Sequence, residues 1–334
     1  MGLARYTLRR ILQAIPVLLG IATITFFLTN AIPGDPIKIM LGPSPSAQQI
    51  ATIRAQYGLD QPVYIRYLKY LWAVVHGDLG TSIHFTGTPV LTKILQRLPV
   101  TLLLLVSSFT FALVTAIPMG VVSAKRRNKP VDHVSRLVAL IGVSTPDFWI
   151  GLMLIILFGY YLGWLPPTDL VMPWADPATL EHATTRLDVI VTSIQHLILP
   201  TITLGTLQMA AVTRIERSSM LEVLSEEYVK LARAYGVKET TILRKHAFRN
   251  AQLPVITIVG LQLTAALGGA VLTETVFSIS GMGRLIITAI NSQDYPLVMG
   301  TTLFFGLTFV VGVILTDLSY AYIDPRVSYG EEEP

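Results

Sequence analysis

Three carboxylates, Asp147, Glu274 and Asp317, lie within or at the edge of long apolar runs. A charge in hydrocarbon is costly, so each is a candidate for a path that carries substrate or ions. Asp147 follows Pro146, where a helix would kink. It either lines a path or pairs with backbone groups that the proline frees. Glu274 falls near the end of a later run and either meets substrate or bonds to the loop 278–284. Asp317 lies close to the cytoplasmic end of the last run. A proton relay would require more buried carboxylates or histidines than these.

The second constellation suits docking rather than catalysis. Residues 225–254 read SEEYVKLARAYGVKETTILRKHAFRNAQLP. Ser225 can start a helix, with Glu226 and Glu227 suited to the positive end of its dipole. Gly236 is a stop, because glycine takes the left-handed cap conformation at little cost. A second helical pattern follows, with Ile242, Leu243, His246 and Ala247 at three-and-four spacing, and Pro254 opens the next apolar run. Eight Lys and Arg lie between Arg214 and Arg249. A basic helix–Gly–helix unit held between two membrane spans can pass force to a soluble partner at the cytoplasmic face.

Other chemistries lack their residues. There is no G-x-x-x-x-G-K-[ST] loop for nucleotide phosphates, no H-E-x-x-H and no G-x-S-x-G. Gly281-Met282-Gly283 is too little for a dinucleotide loop. The histidines at 76, 84, 133, 182, 196 and 246 show no metal-ligand spacing. The absence of cysteine excludes disulfides, thiolate metal sites and a cysteine nucleophile.

The elements that must position these groups are membrane helices. Hydrophobic residues are 52% and charged residues 14%, against roughly 25% charged in a soluble domain. The mean hydropathy is +0.58. Crossing a bilayer takes about 20 apolar residues. Six stretches of the 334-residue chain qualify, 11–32, 100–122, 137–162, 197–212, 255–277 and 297–320, the fourth being short and interrupted by Pro200, Gly205 and Gln208. Seventeen of the 25 Lys and Arg fall in the N-terminus, the second-to-third and fourth-to-fifth loops and the tail. Positive residues are retained inside, so both termini are expected in the cytoplasm. The net charge of +4 therefore belongs to membrane-flanking loops and does not indicate nucleic-acid binding. The first run also has the pattern of a signal peptide, but it is span-length with no A-x-A-like site after it, so it is expected to remain as a span.

The external segment 33–99 is expected to be structured. Ser46 with Gln49 forms a capping box ahead of a helix with Ile50, Ile53 and Tyr57 on one stripe, ending at Gly58. Asp60 is expected to cap a second helix with Pro62 at its first position. That helix carries Tyr64, Tyr67, Leu68, Leu71, Trp72 and Val75 and ends before Gly77. Its aromatics suit a membrane–water interface, and it is either a docking surface for an external partner or a lid on the protein's own spans. The loop 166–193 is expected to be irregular. In the fifth span, Ala265 with Gly269 and Ala266 with Ala270 are small-residue pairs that allow helices to approach closely, in fixed packing or at a moving interface.

Motifs spread along nearly the whole chain carry a resemblance. They are Arg9-Arg10, Pro33-Gly34-Asp35-Pro36, Gly58-Leu59-Asp60-Gln61-Pro62, Gly77-Asp78-Leu79-Gly80, Arg97-Leu98-Pro99-Val100-Thr101 and the run 213–228. Further on come Ala232-Arg233-Ala234-Tyr235-Gly236, Arg249-Asn250-Ala251 with Pro254, Leu272-Thr273-Glu274-Thr275, Gly281-Met282-Gly283-Arg284, Asp294-Tyr295-Pro296 and Asp324-Pro325-Arg326. In this order they resemble the permease subunits of bacterial ATP-binding-cassette (ABC) importers of the dipeptide/oligopeptide branch. The family's Glu-Ala-Ala-x-x-x-Gly motif aligns on Gly236, placing Lys230 at the Glu position, Leu231 at the first Ala and Ala232 at the second. Only Ala232 and Gly236 fit. The branch pattern Ala-Arg-Ala-Lys-Gly is met except that Tyr235 replaces the Lys.

The resemblance implies an all-α polytopic membrane protein with six transmembrane helices in the type I ABC importer fold. It implies an N-terminal span at 1–32, an external segment at 33–96, a five-helix transmembrane domain at 97–322 with its coupling loop near 214–253, and a cytoplasmic tail at 323–334. Residues Lys230, Leu231, Ala232, Arg233, Ala234, Tyr235 and Gly236 would meet the ATPase. ATP and Mg would be bound by partner subunits, with no cofactor in this chain. The partners implied are a second homologous permease, two ATP-binding-cassette ATPases, an external solute-binding protein and the bilayer. The same architecture also serves importers of nickel, glutathione or oligosaccharide. A self-powered secondary transporter or channel would instead show inverted repeats and a buried polar path, and no clear repeat is visible.

Overall fold

The computed structural model describes residues 3–31, 46–56, 60–85, 87–180 and 184–323. The motifs at 33–36, 58–59 and 324–326, His182, and the side chains of Ile50, Ile53, Ala265, Gly269 and Asp317 lie outside the described residues. The helices are α1 (Leu3–Ala31), α2 (Ala47–Gln56), α3 (Val63–Val75), α4 (Val90–Lys125), α5 (Pro130–Ser144), α6 (Asp147–Leu154), α7 (Arg186–Ser225), α8 (Glu227–Ala234), α9 (Glu239–Thr241), α10 (Phe248–Val276), α11 (Met282–Asn291) and α12 (Tyr295–Ile323). Among the described residues the only β pairing is an isolated bridge between Thr81 and Pro89. Such a chain suits hydrocarbon, where a helix satisfies its own backbone hydrogen bonds.

Thr7–Ala31, Val90–Lys125, Arg186–Ser225 and Tyr295–Thr316 are each long and apolar enough to cross a membrane, and α5 with Asp147–Tyr161 makes a fifth crossing if that bent pair is one span. The remaining expected stretch, 255–277, is helical within α10. The third stretch is not the single rod that its composition suggests. It bends by 103° between α5 and α6. Pro146 forces the residue before it out of the helical region, and Thr145 is extended at φ −95° and ψ 128°. A π-helical turn, Ile155–Tyr161, then continues α6.

The fourth span is much longer than 197–212. A capping box starts it early, the Thr185 hydroxyl accepting from the Asp188 amide (3.3 Å) and the Asp188 carboxylate from the Thr185 amide (2.8 Å). Pro200 is accommodated inside the 40-residue helix. The irregular loop therefore ends at Thr185, well short of residue 193.

Two compact units are distinguished, residues 1–99 with 280–311, and residues 100–279 with 312–334. In the first, Val90, Ile94, Met282, Leu285, Ala289 and Leu297 form a buried cluster. Asp294 is fully buried beside it. One carboxylate oxygen accepts from the Leu297 amide (3.2 Å), capping α12, and the other accepts from the Ser82 hydroxyl and the His84 amide (3.0 Å). The predicted capping box at Ser46 and Gln49 is formed, with both amides bonded to the opposite side chain. Asp60 does not cap α3. Pro62 occupies the cap itself at φ −53° and ψ 143°, one position earlier than expected.

In the second unit α10 packs chiefly on α7. Ala112 and Ala116 of α4, Met209 and Val212 of α7 and Val255 of α10 are buried together. A second cluster, Ala124, Met220, Leu243, Ala247 and Ala251, continues toward the basic loop. Between membrane helices apolar burial gives little net drive, so association depends on close van der Waals fit. Gly120 shows the need, because a Cβ there would sit 2.5 Å from Glu216 Cγ and 3.1 Å from the Arg217 amide nitrogen. Gly120→Ala should destabilise the protein by about 1–3 kcal/mol through overpacking. Gly20→Ala, with nothing within 4 Å, should be neutral or mildly stabilising. Thermal unfolding of the two purified variants checks the contrast.

Candidate functional site

The basic segment forms a short helix, α8, followed by a turn and a second helical stretch. Ser225 does not start α8. It is the last residue of α7, and Glu226 is the cap residue of α8, with no side-chain cap bond. The chain therefore turns at a single residue between the long helix and the short one. α8 ends in a Schellman motif, the Gly236 amide bonding the Arg233 carbonyl (2.9 Å) and the Val237 amide the Ala232 carbonyl (3.1 Å). Gly236 has φ +77°, the left-handed conformation that glycine adopts without strain. Beyond it, α9 passes through a π-helical turn, Ile242–Ala247, into α10. Of the four positions at three-and-four spacing, Ile242, Leu243 and Ala247 are buried there and His246 is half-buried.

α8 is anchored on one side and open on the other. Val229 is fully buried. The Arg233 guanidinium grips Glu239 across the turn, Nε to Oε2 at 3.2 Å and Nη2 to Oε1 at 3.0 Å. Nη1 reaches the Leu224 carbonyl at the end of α7 (3.4 Å). Tyr228 and Asn250 add a clasp, with Asn250 Nδ2 donating to the Tyr228 hydroxyl (2.8 Å) and to the His246 carbonyl (3.2 Å). Lys230 pairs with Glu227, on the exposed side (2.7 Å). Leu231 is 57% exposed and Tyr235 80%. With the exposed Ala234 between them they fall three and four residues apart, on one helical face. The helix therefore presents an apolar patch among charges, held by fixed contacts behind it.

Two polar nodes lie beneath this segment. Asp132, fully buried at the start of α5, accepts from the Ser123 hydroxyl (2.6 Å), the Asn128 amide (2.9 Å) and Arg217 Nε (2.6 Å) and Nη2 (2.9 Å). It thereby ties the end of α4, the start of α5 and the last third of α7 together. Glu216, also fully buried, accepts from Gln252 Nε2 at 3.2 and 3.0 Å, and the Ser219 hydroxyl bonds the Ala251 carbonyl (2.9 Å). These join α7 to α10. Sequence reasoning missed both nodes. The available signal was a Glu–Arg pair continuing the helical register of one apolar run, and a glycine, Gly120, near the end of another.

The intramembrane carboxylates lie apart from this segment. Asp147 is at the bend, where its carboxylate accepts from the next amide, Phe148 (2.8 Å). Glu274 is fully buried, and its carboxylate accepts from the Thr101 hydroxyl (2.5 Å). The two motifs 97–101 and 272–275 thus meet through side chains. The loop after Glu274 is reached through its backbone carbonyl, which accepts from the Ile279 amide (2.8 Å). Among the described residues no group of three His, Cys, Asp or Glu is placed to hold a metal.

Asp132→Ala should lower stability by up to about 3–5 kcal/mol, the cost of leaving a mostly buried Arg217 without its partner. Asp132→Ala combined with Arg217→Met should recover part of that loss, measured by unfolding in detergent. The Arg233–Glu239 pair has a pH signature. The hydrogen bond from Arg233, with the charges of Arg233 and Lys125, holds the Glu239 carboxyl below its usual range. A lowered carboxylate stabilises the fold above its ordinary titration range, and that contribution is lost as pH falls through the lowered one. With both groups partly exposed the effect is small. A spin label on Thr240→Cys should gain mobility on acidification below the carboxylate range, and Glu239→Gln should be mobile at every pH.

Comparison with known proteins identifies the family and the fold. Residues 116–329 match the family model described as the binding-protein-dependent transport system inner membrane component. Residues 3–104 match the corresponding N-terminal model. The chain is 42% identical to the oligopeptide transport system permease protein AppB of Bacillus subtilis, over 98% of this chain and 100% of that one. It is 39% identical to the dipeptide transport system permease protein DppB of Escherichia coli K12, over 97% and 99% respectively. In fold it resembles a chain of the MetNI methionine ABC transporter in an inward-facing conformation, with a TM-score of 0.55, 16% identity, and coverage of 70% of this chain and 97% of that one. A helical fold with membrane-length spans, a family model over most of its length and full-length relatives at about two residues in five identical make this chain a member of the binding-protein-dependent transport system inner membrane component family, the membrane-embedded permeases of ABC transporters.

Proposed function

We propose that this chain is one permease subunit of an ATP-driven importer of di- and oligopeptides, and that it forms half of the translocation path. The observation that carries the reading is the outward face of α8, Leu231, Ala234 and Tyr235, exposed on a helix whose other side is fixed by Val229, the Schellman turn and the Arg233–Glu239 pair. An exposed apolar patch on a rigid, basic helix suits the groove of a soluble partner. Residues 230–236 are accordingly the ATPase contact, and closure of two ATPases, each fed with ATP and Mg, would move α7 and α10 with α8. The peptide substrate follows from the likeness to the oligopeptide and dipeptide permeases. The basic loops orient both termini to the cytoplasm and leave the opposite face for a solute-binding protein. A second, homologous permease would complete the path. Residues 97–322 would form the transmembrane domain after an N-terminal span and an external segment. Asp147 and Glu274 are proposed to act in gating. Asp147 stands at the bend of a broken span, and Glu274 couples the α10 end to α4.

Replacing Leu231 and Tyr235 with Asp should abolish co-purification of the ATPase subunits while membrane insertion is unchanged. Loss of ATP-dependent peptide uptake in proteoliposomes should accompany it. If the chain moves solute without ATP and without ATPase partners, the importer reading fails and a secondary transporter or channel replaces it.

A further inference from the structure

The helix α3 carries an apolar face that its own packing does not use. Tyr64, Leu68, Trp72 and Val75 are all exposed, Trp72 at 70% and Val75 at 81%. At about 100° per residue these four positions fall within an arc of roughly 80°. A second side of α3 rests on α1. The Tyr67 hydroxyl is 2.7 Å from Thr23 Oγ1, and the Tyr67 and Tyr70 rings lie 5.3 and 5.6 Å from the Phe26 ring. Phe27 also meets Tyr67, at 5.5 Å. These contacts involve one turn of each helix, so α3 crosses α1 rather than running along it. Arg66 and Lys69 fall on the remaining side, on an arc centred about 135° from the apolar one.

The contact also fixes depth. Thr23 and Phe27 precede the end of α1 by about 12 and 6 Å at 1.5 Å per residue. The span Thr7–Ala31 is about 37 Å long by the same rise, against a hydrocarbon core of about 30 Å. The crossing therefore lies a few ångströms inside the hydrocarbon boundary, where amphipathic helices settle and where Tyr and Trp are favoured. Around α3 the sides then match different surroundings, with α1 beside it, the exposed Lys69 toward water, Arg66 half-buried next to it, and the exposed stripe toward the membrane. Ile24, Phe27 and Leu28 on α1 are also exposed at this level.

We infer that α3 is an interfacial helix whose Tyr64, Leu68, Trp72 and Val75 insert into lipid, in the leaflet at the end of α1 remote from Arg9 and Arg10. On the orientation proposed above this is the outer leaflet. The occupant of the face is lipid, and α3 anchors the first span against tilting.

The lack of native cysteine makes the test direct. Single cysteines at 64, 66, 68, 69, 72 and 75 are spin-labelled in the full chain, in phosphatidylethanolamine–phosphatidylglycerol vesicles, with and without the partner subunits and binding protein. Collisions with oxygen and with a water-soluble nickel chelate are compared. Labels at 64, 68, 72 and 75 should show an oxygen-to-nickel ratio several-fold above that at the exposed position 69, with 66 intermediate, unchanged by the partners. Nickel access along the stripe would overturn the inference, as would immobilised labels shielded from both reagents once partners are present. Sidedness is read separately by a membrane-impermeant maleimide on Asp78→Cys in intact cells. Failure there reverses the orientation and leaves the lipid contact standing.

Discussion

Hydrocarbon offers no water to a peptide group, so backbone that crosses a bilayer must bond to itself. The α1, α4, α7, α10 and α12 helices meet this demand by being long and continuous. Where the rule is broken, the break is confined and compensated. At Pro146 the chain leaves helical geometry at Thr145, the Thr145 amide keeps its bond to the Ile141 carbonyl (3.0 Å), and the Asp147 carboxylate accepts from the second amide of the next helix, that of Phe148. Side-chain hydroxyls inside unbroken helix find partners locally too, as with Thr203 and Thr206 donating to carbonyls one turn back. The same lack of water explains why Asp132, Glu216 and Glu274, each with no exposed surface, all have hydrogen-bond partners from another helix.

Much of this was legible from residue order alone. Apolar runs locate spans because length and hydropathy are local properties, and the Ser46–Gln49 box and the stop at Gly236 are signals contained within a few residues. Extents were less legible. The 40-residue α7 was expected as a short span, because polar residues such as Arg214, Glu216 and Arg217 look like the flank of a membrane segment. They are instead the part of the helix that binds its neighbours. The caps at Asp60 and Ser225 were misplaced by a residue or two, since Pro62 and Glu226 take extended conformations without any side-chain bond. The Asp132–Arg217 and Thr101–Glu274 contacts join residues far apart in sequence, and nothing in a single chain reports such pairing. The tertiary partners of α8 were hidden for the same reason, although its exposed positions follow from helical periodicity.

The arrangement divides labour between apolar and polar contacts. Alanine and glycine positions set how near α4, α7 and α10 can come, and the buried ionic and amide pairs choose one register from the many that smooth apolar surfaces would allow. Both nodes sit in the last third of α7, immediately before α8. A load on α8 therefore meets a region tied to α4, α5 and α10, rather than a flexible connector.

The unbroken course of α7 has a mechanical consequence. A 40-residue helix is a rod about 60 Å long at 1.5 Å per residue. If such a rod pivots near one end, a tilt of only about 5° carries the far end roughly 5 Å, close to the pitch of one helical turn. A lever of this length turns a small angular change at the base of α8 into a displacement comparable to the spacing between side chains at the opposite face.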